Sequence, residues 1–299
     1  MSTGELSRIL DNRAQSLFEE GKFEDAISAA SASVESARRV AMQDTSEMPI
    51  LLEAVVIEAE ILRHVGQFDD SAALYKEADE LAKEYETDDV MRARVVMGQA
   101  ICVDAAGQIR AAAKLYEDAI ERLENLNPPD LEEAASLRNN LAMIYREEGL
   151  HDRAEEHYIR AINISERLYG KEDLTVASLY NNLAALYVNA THYSEALEIA
   201  KQSLEIREKL LSADSPELAQ SLSNLGSIVY GQGDIEAAVD YFSKAASILE
   251  SSNETDPEEY EVVVSNYIDL LNEAGRGEEA TKVTKHARRV YNRLNTAEE

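Results

Sequence analysis

The stretch Asn181-Asn-Leu-Ala-Ala-Leu-Tyr187 decides how this chain is read, because it recurs. Its second asparagine, Asn182, has counterparts in Asn140, Asn224 and Asn266, each 42 residues from the next and each followed by an apolar residue: Leu141, Leu183, Leu225 or Tyr267. Nine residues after each asparagine stands Gly149, Thr191, Gly233 or Gly275, and five further on stands Ala154, Ala196, Ala238 or Ala280. Toward the amino end Gly107 with Ala112, Gly66 with Ser71 and Gly21 with Ala26 repeat the step. There Gly98, Ile57 and Asn12 hold the asparagine-equivalent positions, and the spacing drifts to 41 and 45. A fixed period of this length is the mark of a repeat architecture.

Ala, Leu and Glu abound, apolar residues recur at i, i+3, i+4 and i+7, and only 5 Pro and 12 Gly interrupt the chain, which is an all-helical pattern. Each unit reads as a helix, a tight turn and a second helix. The turn glycine supplies a positive φ that ends the first helix, and the small residue five on lets the second approach closely. Six of the seven turns carry Gly, Thr191 being the exception. Pro49, Pro128, Pro129, Pro216 and Pro257 all fall between units or in the first turn of a unit's first helix, where proline is tolerated. One such hairpin cannot bury its apolar face alone, so seven are expected to stack with neighbour-only contacts into one all-α, right-handed superhelical solenoid with a groove. The units run approximately over 5–46, 47–88, 89–129, 130–171, 172–213, 214–255 and 256–295, a single domain over 1–299.

Composition narrows the function. Of the 299 residues, 58 are Asp or Glu and 29 are Lys or Arg, a formal net charge of -29, while 45% are apolar. That apolar fraction is too high for a disordered acidic tail. The charge works against wrapping nucleic acid, which needs clustered Lys and Arg. Cys102 is the lone cysteine and cannot form an internal disulfide, so a reducing compartment is expected. The opening MSTGELSRIL lacks the basic and apolar regions of a secretion signal, and no apolar run approaches the ~20 residues of a membrane span. A cytoplasmic location is expected.

The units resemble tetratricopeptide repeats (TPRs): Leu141, Ala142 and Tyr145, then Gly149, Ala154, Tyr158 and Ala161, match that signature in spacing. Repeats of that family usually run about 34 residues. The longer period here amounts to roughly one added turn per helix and resembles the repeat of kinesin light chains. Asn181 to Tyr187, Tyr193-Ser-Glu-Ala196, Ser203-Leu-Glu-Ile-Arg-Glu-Lys209, Asp214-Ser-Pro-Glu-Leu-Ala219, Asn139-Asn-Leu-Ala142 and Leu168-Tyr-Gly170 read like that family's consensus. The match is strong over about 130–250 and weaker outside. No heptad-rich coiled coil precedes the repeats, which argues against attachment to a motor. A version without it is similar to the bacterial kinesin-light-chain-like proteins that accompany bacterial tubulins, and this resemblance implies a cytoskeletal partner, a bacterial tubulin polymer.

In such solenoids the first helices line the concave face. The groove-facing offsets from the ladder asparagine are -4, -1, 0, +3, +6 and +7, one helical stripe. Over units four to six, only Arg146 and Glu147 among these positions are charged, in a chain that is 29% charged overall. The central groove is therefore polar and nearly neutral. Asn amides offer paired donors and acceptors that can clasp an extended backbone without reading its side chains. Asn140, Asn182, Asn224 and Asn266, with Asn139 and Asn181, are accordingly the expected peptide contacts. The competing reading is that these amides bond the neighbouring hairpin and only hold the stack. At the amino end Arg8 and Asn12 lie four apart, and Arg94 holds the same offset as Arg8 in unit three. In related domains such a basic residue helps grip a carboxylate, but Glu53, Ile57 and Gly98 interrupt the constellation.

The last helix inverts the charge. Arg276, Lys282, Lys285, Arg288, Arg289 and Arg293 stand there against Glu278 and Glu279. Lys282, Lys285, Arg288, Arg289 and Arg293 are the expected contacts to an acidic protein surface or a peripheral anionic membrane, and the alternative is a solvated capping helix. Enzyme signatures fail in turn. There is no Gly-rich phosphate loop, no Cys pair for zinc and no HExxH around His151 and His157, so no catalytic residue, metal or cofactor is expected. Cys102 reads as a small core residue. The expected activity is that of a non-catalytic interaction scaffold on a filament, with a peptide-sensing regulator or a general cytosolic adaptor as the alternative.

Overall fold

The computed structural model describes residues 3–85, 87–252 and 255–297. The described residues form fourteen α-helices and one short 3-10 turn, with no strand among them. The helices are α1 (Thr3–Glu19), α2 (Phe23–Ala41), α3 (Met48–His64), α4 (Phe68–Glu84), α5 (Asp89–Ala105), α6 (Ile109–Asn125), α7 (Leu131–Glu147), α8 (His151–Tyr169), α9 (Leu174–Asn189), α10 (Tyr193–Leu210), α11 (Pro216–Gly231), α12 (Ile235–Ser251), α13 (Pro257–Glu273) and α14 (Gly277–Ala297). They divide into two compact units, Met1–Ile144 and Tyr145–Glu299.

The turn inside each predicted hairpin has the expected geometry. Gly21, Gly66, Gly107, Gly149, Gly233 and Gly275 all have positive φ, between 70° and 88°, and Thr191 joins them at 61°. Each turn carries the same two backbone bonds: the left-handed residue donates to the carbonyl three back, and the next residue donates to the carbonyl five back. At the fifth turn these are Thr191 to Val188 at 2.9 Å and His192 to Tyr187 at 2.8 Å. At the first they are Gly21 to Phe18 and Lys22 to Leu17, both 2.9 Å. This is the Schellman arrangement, which satisfies carbonyls that a helix end leaves open. Five residues after the turn, Ala26, Ser71, Ala112, Ala154, Ala196, Ala238 and Ala280 are all buried. A larger side chain there would hold the second helix away from the first.

Aspartate starts many of the first helices. Asp88 accepts from Met91 N–H at 2.8 Å, Asp173 from Thr175 at 2.7 Å and Asp256 from Glu258 at 2.8 Å, each satisfying an orphan donor of the first turn. Pro49, Pro216 and Pro257 sit in the first turns of α3, α11 and α13, and Pro128 and Pro129 lie between α6 and α7.

Within the first unit, Val34 and Ala37 of α2, Leu51, Leu52 and Val55 of α3, Ala78 of α4 and Val95 of α5 form one continuous core. In the second unit Phe242, Ala245 and Leu249 of α12 enclose Tyr260, Val263, Val264 and Tyr267 of α13, with Val290 of α14 in the same cluster. A glutamate or its equivalent stitches successive hairpins at one register: Glu124 accepts from Arg138 Nε at 2.9 Å, Glu166 from the Tyr180 hydroxyl at 2.6 Å and Glu250 from the Tyr260 hydroxyl at 2.9 Å. All three glutamates stand seventeen residues after their turn.

Gly98, which replaces the ladder asparagine in hairpin three, has a packing reason to be glycine. A Cβ at that position would lie 2.0 Å from Cζ of Tyr75, whose fully buried ring reaches over from hairpin two. Gly98→Ala is therefore expected to destabilise the protein by about 1–3 kcal/mol, since a buried ring must leave its seat. Thr191→Gly acts oppositely. A β-branched residue in the left-handed region is strained, and its removal is expected to stabilise by about 1 kcal/mol. Urea unfolding of both variants beside the parent checks both signs.

Candidate functional site

The stripe facing away from the second helices is built by residues 3 and 4 apart on α9, α11 and α13 in the second unit. Ser178, Asn189, Gln220, Ser227, Tyr230, Asn266 and Glu273 are exposed, and Asn182 and Asn224 are half-buried. The Tyr230 hydroxyl donates to Glu273 Oε2 at 3.0 Å, tying α11 to α13 along this surface. In the first unit the same stripe carries Arg8 and Asn12, both exposed, and half-buried Asn139 and Asn140. Asn140 receives a 3.5 Å contact from Asn139 Nδ2, which also approaches Met143 Sδ at 3.9 Å. Asn140 lies against Tyr116 of hairpin three, where burial raises the phenol pKa, Asp104 adds to the rise and Asn140 opposes it.

The offset just before the ladder position behaves differently from its neighbours. Asn181 is 5% exposed, and its Oδ1 is buried without a hydrogen-bond partner. Asp11 Oδ1 and Ser223 Oγ, at the same offset in hairpins one and six, share that condition. Burial accordingly raises the Asp11 carboxyl pKa, with Ser33 opposing it. This offset turns into the packing, so Asn181 is not presented on the surface where the stripe geometry alone would put it. Half-buried Asn139 stands at the edge of that layer.

Arg94 is engaged internally. Its Nη2 meets Glu60 Oε2 at 2.9 Å and its Nη1 meets Glu53 Oε1 at 3.1 Å. Burial disfavours its charge, yet the bonds and field of Glu60 and Glu53 more than offset this and raise its pKa. Glu53, which interrupts the basic pattern in the sequence, is thus half of the reason Arg94 is held. Arg94 closes the joint between α3 and α5, and its carboxylate-binding capacity is already used.

A cation does stand beneath this stripe in the second unit, delivered from a second helix. Arg207 of α10 is 4% exposed, and its Nη1 donates to the Glu217 carbonyl at 2.7 Å, Ser221 Oγ at 2.8 Å and Gln220 Oε1 at 3.2 Å. Its Nη2 reaches Ser178 Oγ at 3.4 Å. Burial lowers its pKa and the nearby Glu217 works against that. Ser178 and Gln220 occupy the offset at which Arg8 and Arg94 stand. The charge sought there on first helices comes instead from the facing helix, and the one sequence signal is an arginine next to Ile206 in a buried stripe.

On α14, Lys282, Lys285, Arg288, Arg289 and Arg293 are all exposed. Arg293 Nη2 donates to the Glu250 carbonyl at 2.7 Å, and Arg276, just before the helix, pairs with Glu236 at 3.1 Å and Glu279 at 2.8 Å. Arg276 and Arg293 therefore help seat the last helix, while Lys282, Lys285, Arg288 and Arg289 point their charge outward from it. Cys102 is buried beside Ala59 and Tyr75, its thiol 3.4 Å from Ser71 Oγ, and burial raises the thiol pKa, so it is packed as a core residue. Among the described residues no group of three His, Cys, Asp or Glu is placed to hold a metal ion, and no helix is long and apolar enough to cross a membrane.

Residues 133–209 and 193–251 match the tetratricopeptide repeat family. Among solved structures, BtubC (BKLC) from P. vanneervenii is 30% identical, with 79% of this chain and 94% of BtubC covered and a TM-score of 0.64. A kinesin-light-chain-type protein with nearly identical TPR-like repeats from Podosopora anserina is 18% identical over 68% of this chain and 97% of its own, at a TM-score of 0.58. The apo form of the quorum sensor NprR from B. thuringiensis is 16% identical over 91% of this chain and 75% of its own, at 0.65. These last two share the fold. None of the curated proteins matches the chain. With its hairpins matching in both sequence and structure, the chain belongs to the tetratricopeptide-repeat family, in the bacterial kinesin-light-chain-like group to which BtubC belongs.

Proposed function

We propose that this protein is a non-catalytic scaffold that binds a bacterial tubulin filament through its repeat surface, in the cytoplasm. The observation that carries the reading is the 30% identity to BtubC across 94% of that chain. The surface has the chemistry for it. Asn182, Asn224 and Asn266 offer side-chain amides along one stripe, and Ser178 and Gln220 sit above the buried charge of Arg207. Such a surface suits an extended segment of a partner, a loop or a tail, gripped mainly through its backbone. Asn140 offers the same group in the first unit, with Arg8 and Asn12 at the amino end.

The partner's charge sets the second part of the reading. This chain carries a net charge of -29, so an acidic filament is repelled at long range and contact must be short-range and polar, or directed by the basic last helix. Lys282, Lys285, Arg288 and Arg289 are exposed for that second role, toward an acidic filament surface or anionic lipid. A peptide-sensing regulator is the competing function, and the fold shared with the quorum sensor NprR is the observation in its favour.

Pelleting with polymerised bacterial tubulin tests the proposal directly, the parent being expected in the pellet and absent from it without polymer. Asn182→Ala with Asn224→Ala and Asn266→Ala is expected to reduce pelleting at least tenfold while the melting temperature holds. Retained pelleting with a lowered melting temperature would assign the amides to the stack. Reversing Lys285, Arg288 and Arg289 to Glu separates the two surfaces: a groove-borne contact survives the reversal and added salt, whereas a contact through the last helix is lost with both. Failure of the parent to pellet at any salt concentration overturns the filament reading.

A further inference from the structure

Among the described residues, a seat of the kind that joins one hairpin to the next occurs once without a hairpin in it. Six residues before the ladder position, five of the six later hairpins carry a buried apolar residue, Leu51, Ala134, Val176, Leu218 or Tyr260, and hairpin three carries half-buried Arg92; three before it Ala54, Val95, Leu137, Leu179, Ser221 and Val263 are all buried. In the first hairpin the same two positions are Leu6 and Ile9, and they are 43% and 45% exposed. At these places Leu51 and Ala54 share a core with Val34 and Ala37 of the preceding hairpin, Val95 with Ala78, and Tyr260 and Val263 with Ala245 and Leu249.

The last hairpin offers the complementary surface. Between α13 and α14 lies a notch of about 350 Å³ lined by Val264, Ile268, Ala287, Arg288 and Tyr291. The corresponding residues of hairpin six are Leu222, Gly226, Ala245, Ala246 and Leu249, all buried, and four of them share a core with Tyr260 and Val263 of α13. The notch is therefore the seat that α13 fills in the preceding joint, repeated with no helix of the described residues in it.

Polar register agrees with an occupant of the same kind. Arg94 of α5 bonds Glu60 of the preceding first helix at 2.9 Å; the matching residues at the ends are Arg8 and Asp269, both exposed. Ile50 packs in one core with Val34, and the residues in those places are Glu5 and Arg288. One pair opposes: Ser31 bonds Glu58, and the counterparts are Lys285 and Arg13. Two attractive pairs and one repulsive pair flank an apolar contact.

We infer that copies of this chain associate head to tail, α1 of one copy seating in the α13–α14 notch of another as α13 seats on hairpin six. Such a contact is heterologous, so it runs on from copy to copy, into a ring where the rotation closes and a chain where it does not, rather than stopping at a two-fold dimer. It requires no filament, and its test stands apart from that of the proposed function.

Sedimentation velocity on the purified full chain is expected to give a weight-average mass above the single-chain 33.2 kDa that rises continuously with concentration. Leu6→Glu with Ile9→Glu removes the head, and Ile268→Glu removes the tail seat. Each variant alone is expected to stay at one chain, and an equimolar mixture to stop at two, because one keeps the seat and the other the head. Circular dichroism melting of each variant confirms that it is folded, and Arg8→Glu paired with Asp269→Arg offers a second complementary set that leaves the apolar residues intact. Lys285→Glu is expected to shift assembly severalfold toward lower concentration by pairing with Arg13. A parent that remains at one chain up to its solubility limit, a mixture that never exceeds one chain while the parent assembles, or a Lys285→Glu variant that assembles more weakly overturns the inference.

Discussion

A helix that must reverse direction within three residues and then lie flat against its successor needs two things that L-amino acids rarely supply together. One is a left-handed residue at the reversal, which exposes two backbone N–H groups to the carbonyls of the last turn. The other is a side chain no larger than serine where the second helix crosses the first. Gly107 with Ala112 and Gly233 with Ala238 meet both conditions, and Thr191 with Ala196 meets the first at a steric cost. Every hairpin in the chain rests on this pair of constraints. The surfaces discussed above exist because the hairpins present their first helices in a constant register.

Stacking is the second level, and it is chemically less uniform than the turn. The joint after α6 uses an arginine against Glu124, the joints after α8 and α12 use tyrosines against Glu166 and Glu250, and the joint after α10 uses a buried guanidinium bonded to neutral groups. Different side chains reach one register from different helices, so a polar link is maintained while its sequence position moves. Arg207 is the clearest case. It does for the second unit's surface what a first-helix basic residue would do, from the opposite side of the joint.

The acidic excess acquires a structural meaning in this light. Some of it is capping, as at Asp88, Asp173 and Asp256. Some of it links hairpins, as at Glu60 and Glu250. Most of the remainder lies on helix faces exposed to solvent, where like charges keep the chain apart from other acidic molecules. The last helix departs from this, with Lys282, Lys285, Arg288 and Arg289 outward-facing beside an apolar notch. A basic patch beside an apolar notch is thus set into an acidic background that disfavours nonspecific adhesion to other acidic molecules.

Much of the fold was legible in the chain itself, because turn and crossing constraints act between residues five apart and leave a periodic trace. The left-handed turns, the buried small residues and the positions of the prolines all stand where the period puts them, including the turn at Thr191. The candidate site was legible in part. Asn182, Asn224 and Asn266 lie on the expected stripe, since a helix carries its periodicity to its surface. What the period could not show is which way a marginal offset rotates. Asn181 and Asp11 fall into the packing rather than beside their neighbours, Arg94 is taken up by Glu53 and Glu60 from another hairpin, and Arg207 reaches the stripe from behind. These outcomes depend on contacts between residues 10 to 41 apart in sequence, made only when hairpins stack. Sequence alone therefore determined the repeat and its hairpins, because those are local; tertiary structure decided which polar groups remain available, because a side chain's partner is set by the neighbouring hairpin and leaves no period to read.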